Sequence, residues 1–174
     1  NGAGKTTVFN LISGIYRPAN GTIALEGESL IGLPPYEVTA RGVARTFQTI
    51  RLFGDLSVLE NVEVARHSRR GYGVLDAILR TKRFEAGERR IAGEAGRLLS
   101  VLGLYARRHE KAGNLAYGEQ RRLEIARALA TGPRLLLLDE PAAGMNPAEV
   151  AGTMRLITQI RERFGLTILL IEHH

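Results

Sequence analysis

Two stretches of this chain combine residue types able to hold phosphate and metal. The first is Asn1-Gly2-Ala3-Gly4-Lys5-Thr6-Thr7, the second half of the pattern G-x-x-x-x-G-K-[ST]. Glycines let backbone N–H groups come close to phosphate oxygens, and a helix opening at Lys5 adds the partial positive charge of its N-terminus. Lys5 would reach the outer phosphates of a nucleotide, and the Thr6 hydroxyl would ligate Mg²⁺. The first glycine of the pattern is expected two positions before Asn1. Taken alone the turn is a weak signal, since Gly-Lys-Thr also arises by chance.

The second stretch runs Leu135-Leu136-Leu137-Leu138-Asp139-Glu140-Pro141. Four consecutive leucines read as a strand buried on both faces, and ligands of open α/β sheets lie at the carboxyl ends of the strands. Asp139 at that end is a candidate for holding Mg²⁺, directly or through water. Glu140, one residue on and directed elsewhere, is a candidate general base or water-orienting group. The competing reading is a solvated acidic pair at a strand end. A phosphate-binding turn earlier in the same chain argues against it.

The elements that must position these groups can be read from pattern. A helix is expected over 5–12, a short strand over 22–25 after the turn Asn20-Gly21, and a helix over 36–41 between Pro34-Pro35 and Gly42. Ser57-Val58-Leu59-Glu60 is a capping-box pattern that launches a helix to about His67. Residues 68–90 are polar, basic and glycine-punctuated, which predicts a variable, mobile connection. Ile91, Ala95, Leu98 and Leu102 return to helical spacing. A helix over 118–130 follows Asn114-Leu115-Ala116-Tyr117, and another over 148–164 ends at Gly165. A second buried strand is expected over 167–171. This alternation indicates an α/β fold with a parallel sheet. The helix-rich segment 52–115 interrupts it and reads as an inserted helical subdomain, flanked by core segments 1–51 and 116–174 of a single domain.

Composition bounds the reading. A chain of 174 residues can bury a real core. Its 44% hydrophobic and 24% charged content argue against wholesale disorder. The longest apolar runs are strand-sized, far below the ~20 residues of a membrane span. The opening residues read as loop chemistry, so no targeting segment is expected. With no cysteine, disulfides and thiolate metal sites are excluded. The net charge of +6 is dispersed in pairs such as Arg69-Arg70, Arg107-Arg108 and Arg121-Arg122, a pattern that suits a solvated arginine-rich surface and demands no nucleic acid.

The order of these motifs resembles one family, the nucleotide-binding subunits of ABC transporters, whose fold is a P-loop NTPase core with a parallel sheet and an inserted helical subdomain. Thr46-Phe47-Gln48 resembles its glutamine loop, Leu115-Ala116-Tyr117-Gly118-Glu119-Gln120 its signature, and Ala142-Ala143-Gly144-Met145-Asn146-Pro147 its D-loop. His173 falls where the switch histidine does. Ala116 stands where the family usually has serine, and Tyr117 where it has the first of two glycines. The signature is therefore expected to hold phosphate through backbone N–H groups near Gly118 and the following helix N-terminus. Asn-Leu-Ala-Tyr-Gly-Glu-Gln-Arg-Arg-Leu-Glu-Ile-Ala-Arg, with Ala-Arg-Thr-Phe-Gln upstream, looks like the ATPase subunits of high-affinity branched-chain amino acid importers. That subfamily usually has Asp after the switch histidine, where His174 stands here. The family's flanking strands and C-terminal helix are not seen, so the chain reads as a fragment cut at both ends.

The resemblance implies ATP and Mg²⁺ as ligands. Residues Asn1, Gly2, Ala3, Gly4, Lys5, Thr6 and Thr7 would bind nucleotide, and Thr6, Gln48 and Asp139 would meet the metal. Glu140, Gln48 and His173 would serve hydrolysis. Leu115, Ala116, Tyr117, Gly118 and Glu119 would face the ATP of a second ABC ATPase subunit, in a homo- or heterodimer. Transmembrane permease subunits are the expected partners, near Arg51, Leu52 and Phe53, with a solute-binding protein acting indirectly and no nucleic acid. The expected location is the cytoplasmic face of the cell membrane. Rival readings are an importer of another small polar solute (an amide, urea or other amino acid) and a soluble ABC ATPase acting on nucleic acid.

Overall fold

The computed structural model describes residues 4–67 and 72–172. At its centre β4 (Leu135–Asp139) lies between β3 (Val43–Arg45) and β5 (Thr167–Ile171), parallel to both. Val43 stands opposite Leu135, and Asp139 opposite Ile171. Successive side chains of a strand point to opposite faces, so the leucines of β4 serve two cores. Leu137 packs with Phe9, Leu30, Val38, Val43 and Ile171. Leu136 and Leu138 join a larger cluster with Val58, Leu99, Leu123, Ala126 and Ile160. Burying each of these leucines contributes about 1.5–3 kcal/mol.

The smaller core is covered by α1 (Lys5–Ile12), α2 (Pro35–Ala40) and an antiparallel hairpin of β1 (Ala24–Leu25) and β2 (Glu28–Ser29). The larger one gathers α3 (Val58–Arg66), α5 (Lys82–Val101), α6 (Tyr117–Ala130) and α7 (Pro147–Phe164). A short α4 (Val74–Ile78) precedes α5. Residues from 52–115 thus share one apolar cluster with α6 and β4. No helix among the described residues is long and apolar enough to cross a membrane.

Local chemistry explains the helix ends. Ser57 Oγ accepts from the Glu60 N–H, and the Glu60 carboxylate accepts from the Ser57 N–H. Hydrogen bonding from the Ser57 side chain, then from its backbone N–H, holds the Glu60 carboxyl below its usual pKa. α7 opens with the same reciprocal bonds between Asn146 and Glu149 and closes at Gly165, whose φ of 62° is left-handed backbone that glycine adopts without a Cβ clash.

Several expectations need correction. Segment 68–90 is not one irregular connection: α4 and the first turns of α5 occupy much of it, while 68–71 lie outside the described residues. Thr81 caps α5 by accepting from the Phe84 N–H, and the Phe84 ring meets Tyr72 edge to face at 5.1 Å. Leu99, not Leu98, is the fully buried residue of the third turn of that stripe. β5 spans the expected residues, yet Leu169 is 40% and Leu170 37% exposed, because β4 is its one strand neighbour among the described residues. The strands β2 and β3 carried no sequence signal, and α6 opens one residue early, at Tyr117.

Asn61, fully buried on α3, closes the loop before that helix: its Oδ1 accepts from the Phe53 N–H, and its Nδ2 donates to the carbonyls of Phe53 and Ser57, each at 3.0 Å. Asn61→Ala would leave the Phe53 N–H without its acceptor and take one donor from each carbonyl, and should lower stability by about 1–3 kcal/mol. Urea unfolding would read the shift, and a loss below about 0.5 kcal/mol would remove the network from the account of this loop.

Candidate functional site

Because β3, β4 and β5 are parallel, their carboxyl ends share one edge of the sheet. β4 delivers Asp139 there and leads into Glu140. β3 continues through Thr46, whose N–H donates to the Leu137 carbonyl at 3.0 Å, to Phe47 and Gln48. β5 runs on to Glu172, whose carbonyl accepts from Lys5 Nζ at 3.3 Å. Thus Lys5, Gln48, Asp139 and Glu140 converge, and Gln48 Nε2 donates to Glu140 Oε2 at 3.4 Å.

Glu140 leaves the sheet through a turn with φ 47°. That left-handed backbone costs a residue with a Cβ about 1–2 kcal/mol, and such conformations gather at functional sites. Hydrogen bonds hold it: the Glu140 N–H donates to the Ile171 carbonyl at 2.9 Å, and the Glu140 carbonyl accepts from the Ala143 N–H at 3.1 Å and from Arg121 Nη2 at 3.3 Å. The turn separates the two neighbouring acids. Asp139 is buried, whereas Glu140 is half-buried and reaches Gln48.

Asp139 does not stand alone. Arg45, with its side chain only 7% exposed, donates to Asp139 Oδ2 at 3.1 Å, to Asn10 Oδ1 at 2.6 Å and to Ser13 Oγ at 3.2 Å. Its guanidinium also lies over the rings of Phe9 and Phe47, at 5.4 and 5.1 Å. Arg45 therefore ties α1 to the end of β4. Breaking a buried pair of this kind costs about 3–5 kcal/mol, because a charge is left unpaired.

At the other side of the edge, Gly4 starts α1 in left-handed backbone with φ 73°, offers no side-chain cap, and no acid occupies the first turn. Gly4, Lys5, Thr6 and Thr7 are exposed. The first N–H groups of a helix have no intrahelical acceptor, so with the Lys5 ammonium they form a donor-only, cationic face that fits a polyphosphate. The Thr6 hydroxyl and Asp139 carboxylate are hard oxygen donors of the kind Mg²⁺ takes. Among the described residues no cluster of three or more His, Cys, Asp or Glu forms a cage for a metal. Asn1, Gly2, Ala3 and His173 lie outside the described residues.

The segment expected to face a second subunit is divided by the structure. Leu115 is buried in the larger core at 4% exposure, while Ala116 and Tyr117 are exposed and Gly118 half-buried at the opening of α6. Ala116 provides no side-chain cap, but the Glu119 carboxylate accepts from the Ala116 N–H at 3.2 Å and pairs with Arg107 at 3.0 Å. Tyr117 reaches across to the 142–147 turn, donating its hydroxyl hydrogen to the Ala143 carbonyl at 3.2 Å. The larger residue at this position thus has a structural partner that its sequence context did not reveal.

Sequence reasoning missed Arg45, Arg121, Glu124 and Glu172. Arg121 and Glu124 carried one available signal: an acid and a base three positions apart on the face of a helix whose other residues there are apolar. Arg45 and Glu172 had none, since their partners lie far away in the chain.

A family model described as ABC transporter matches residues 1–143. The chain is 47% identical to the high-affinity branched-chain amino acid transport ATP-binding protein LivG of Escherichia coli strain K12, over 99% of this chain and 68% of that protein. It is 46% identical to the high-affinity branched-chain amino acid transport ATP-binding protein BraF of Pseudomonas aeruginosa, over 99% and 68% of the two chains. Its fold matches the ADP conformation of an ATP-binding cassette of an ABC transporter with a TM-score of 0.82 at 31% identity, over 100% of this chain and 67% of that one. The helix-opening lysine, the paired acids at the end of β4 and the shared edge of the sheet accord with these likenesses, and this chain belongs to the ATP-binding cassettes of ABC transporters.

Proposed function

We propose that the chain is the ATP-hydrolysing subunit of an importer that powers uptake of branched-chain amino acids. The cassette family supplies ATP hydrolysis coupled to transport. The solute is carried over from relatives that are 47% and 46% identical along nearly the whole chain. What supports the hydrolytic reading is one observation: the contact between Gln48 and Glu140, at the edge where Lys5 and Asp139 also stand.

In this reading Lys5 and the N–H groups at the start of α1 bind phosphate, and Asn1, Gly2, Ala3, Gly4 and Thr7 belong to the same nucleotide-binding set. Thr6, Gln48 and Asp139 would hold Mg²⁺. Bound Mg²⁺ supplies positive charge against the phosphate oxygens. Glu140 accepts a proton from the attacking water, Gln48 orients that water, and His173 completes the set. Leu115 anchors the signature in the core, and Ala116, Tyr117, Gly118 and Glu119 present the α6 N-terminus to the nucleotide of a second subunit. Closure of two such chains, related by a two-fold axis, drives membrane permease subunits. Segment 52–115 is the helical arm toward those subunits. Phe53, 47% exposed with the Arg127 guanidinium 4.7 Å from its ring, is the apolar contact of that arm. The assembly sits at the cytoplasmic face of the membrane, where a solute-binding protein acts through the permease.

Glu140→Gln in the full-length protein should lower ATP turnover by about 100-fold or more, the scale of a lost general base, with ATP affinity retained. Steady-state hydrolysis and nucleotide binding measure the two, and substantial remaining turnover removes the general-base role. Ala116→Ser should leave hydrolysis within about twofold, because backbone donors and the helix dipole do the holding; a large loss of ATP-driven dimer closure would contradict that account. For the solute, proteoliposomes carrying the assembled transporter should accumulate leucine, isoleucine or valine on addition of ATP. Preferential accumulation of urea or an amide would overturn the branched-chain reading.

A further inference from the structure

One buried guanidinium grips the backbone on both sides of the contact between Gln48 and Glu140. Arg121, on the first turns of α6, is 1% exposed. Its Nη1 donates to the Phe47 carbonyl at 2.6 Å and to Glu124 Oε2 at 2.7 Å. Its Nη2 donates to the Gln48 carbonyl at 2.8 Å and to the Glu140 carbonyl at 3.3 Å. Glu124 returns the grip, its Oε1 accepting from the Phe47 N–H at 3.3 Å. The planar fork thus joins three segments far apart in the chain: the loop after β3, the left-handed turn after β4, and the helix that opens at Tyr117.

Packing alone does not call for this pair. Two charges taken out of water bring a desolvation cost that an apolar pair of similar volume avoids. A guanidinium adds directional donors, which fix the separation of the carbonyls they bridge. Two of the three carbonyls bridged here belong to the residues whose side chains meet at the reacting edge, and one of those residues, Glu140, is held at φ 47°.

We propose that Arg121, oriented by Glu124, is a positioning residue for ATP hydrolysis, holding the glutamine loop and the Glu140 turn at the spacing that lets Gln48 and Glu140 act on one water. The inference rests on the reading of Gln48 and Glu140 as hydrolytic groups. It adds that the helix carrying the segment offered to the second subunit also sets their geometry.

The test uses the full-length protein in its assembled transporter. Arg121→Lys keeps the charge opposite Glu124 but, as a point donor, cannot span the Phe47, Gln48 and Glu140 carbonyls. Its kcat should fall about 10- to 100-fold, as misplacement of a reacting group by ~1 Å does, while KM and the affinity for ATP stay within about threefold. Should Arg121→Lys not fold, Glu124→Gln tests the same link, because the Phe47 N–H and Arg121 use different carboxylate oxygens and the amide NH2 that replaces one of them is a donor facing a donor. There kcat should fall about fivefold or more, again with ATP affinity retained. A kcat within about twofold of the parent in whichever variant is folded, or parallel losses of kcat and ATP affinity, would overturn the proposal. Glu140→Gln separates the two layers: if it keeps turnover, the hydrolytic reading itself fails, and if it is inactive while Arg121→Lys is unaffected, only the positioning role fails.

Discussion

A strand with both faces buried can satisfy its peptide groups only by pairing on both edges, and β4 is such a strand. Its leucines face two separate apolar clusters, so it cannot slip by one residue without turning each side chain into the wrong core. That register decides where the strand ends, hence where Asp139 and Glu140 emerge. β3 and β5 run parallel to it and end at the same edge. Gln48, Glu172 and, through Glu172, Lys5 are brought to the acids as a consequence of the pairing.

Charge at this edge is handled by two buried arginines with different reach. Arg45 binds Asp139 and the polar side chains of α1, joining that helix to the central strand. Arg121 binds main-chain carbonyls and joins α6 to the segments carrying Gln48 and Glu140. Each arginine links segments at the polar edge of the sheet, beyond the leucines of the two cores. Multi-pronged hydrogen bonding does there what leucine packing does beneath it.

The signature segment illustrates how one helix serves two demands. Leu115 anchors it in the core, Glu119 occupies the Ala116 N–H, and Tyr117 braces it against the turn that follows β4. The N-terminus of α6 is thereby held in place with Ala116 and Tyr117 exposed.

Local chemistry made much of this protein legible from its residues alone. α1 follows from glycine then Lys-Thr-Thr, α3 from the reciprocal bonds of Ser57 and Glu60, β4 from four leucines, and α7 from its span up to Gly165. Each is set by groups within a few positions of one another, so pattern and spacing suffice. Asp139, the last residue of β4, and Glu140 just after it were visible for the same reason, since they follow the run of leucines directly. Tertiary structure alone decided the rest. Val43, Ala44 and Arg45 form a strand because β4 offers an edge, not because of their own propensity. Residues 82–90 join a helix because Thr81 caps it and Phe84 has Tyr72 to pack on. Leu169 and Leu170 stay exposed because β5 has one strand beside it among the described residues. Arg45 and Arg121 become structural centres only when segments distant in sequence supply their acceptors, and no local pattern encodes a hydrogen bond whose partner lies on the far side of the fold.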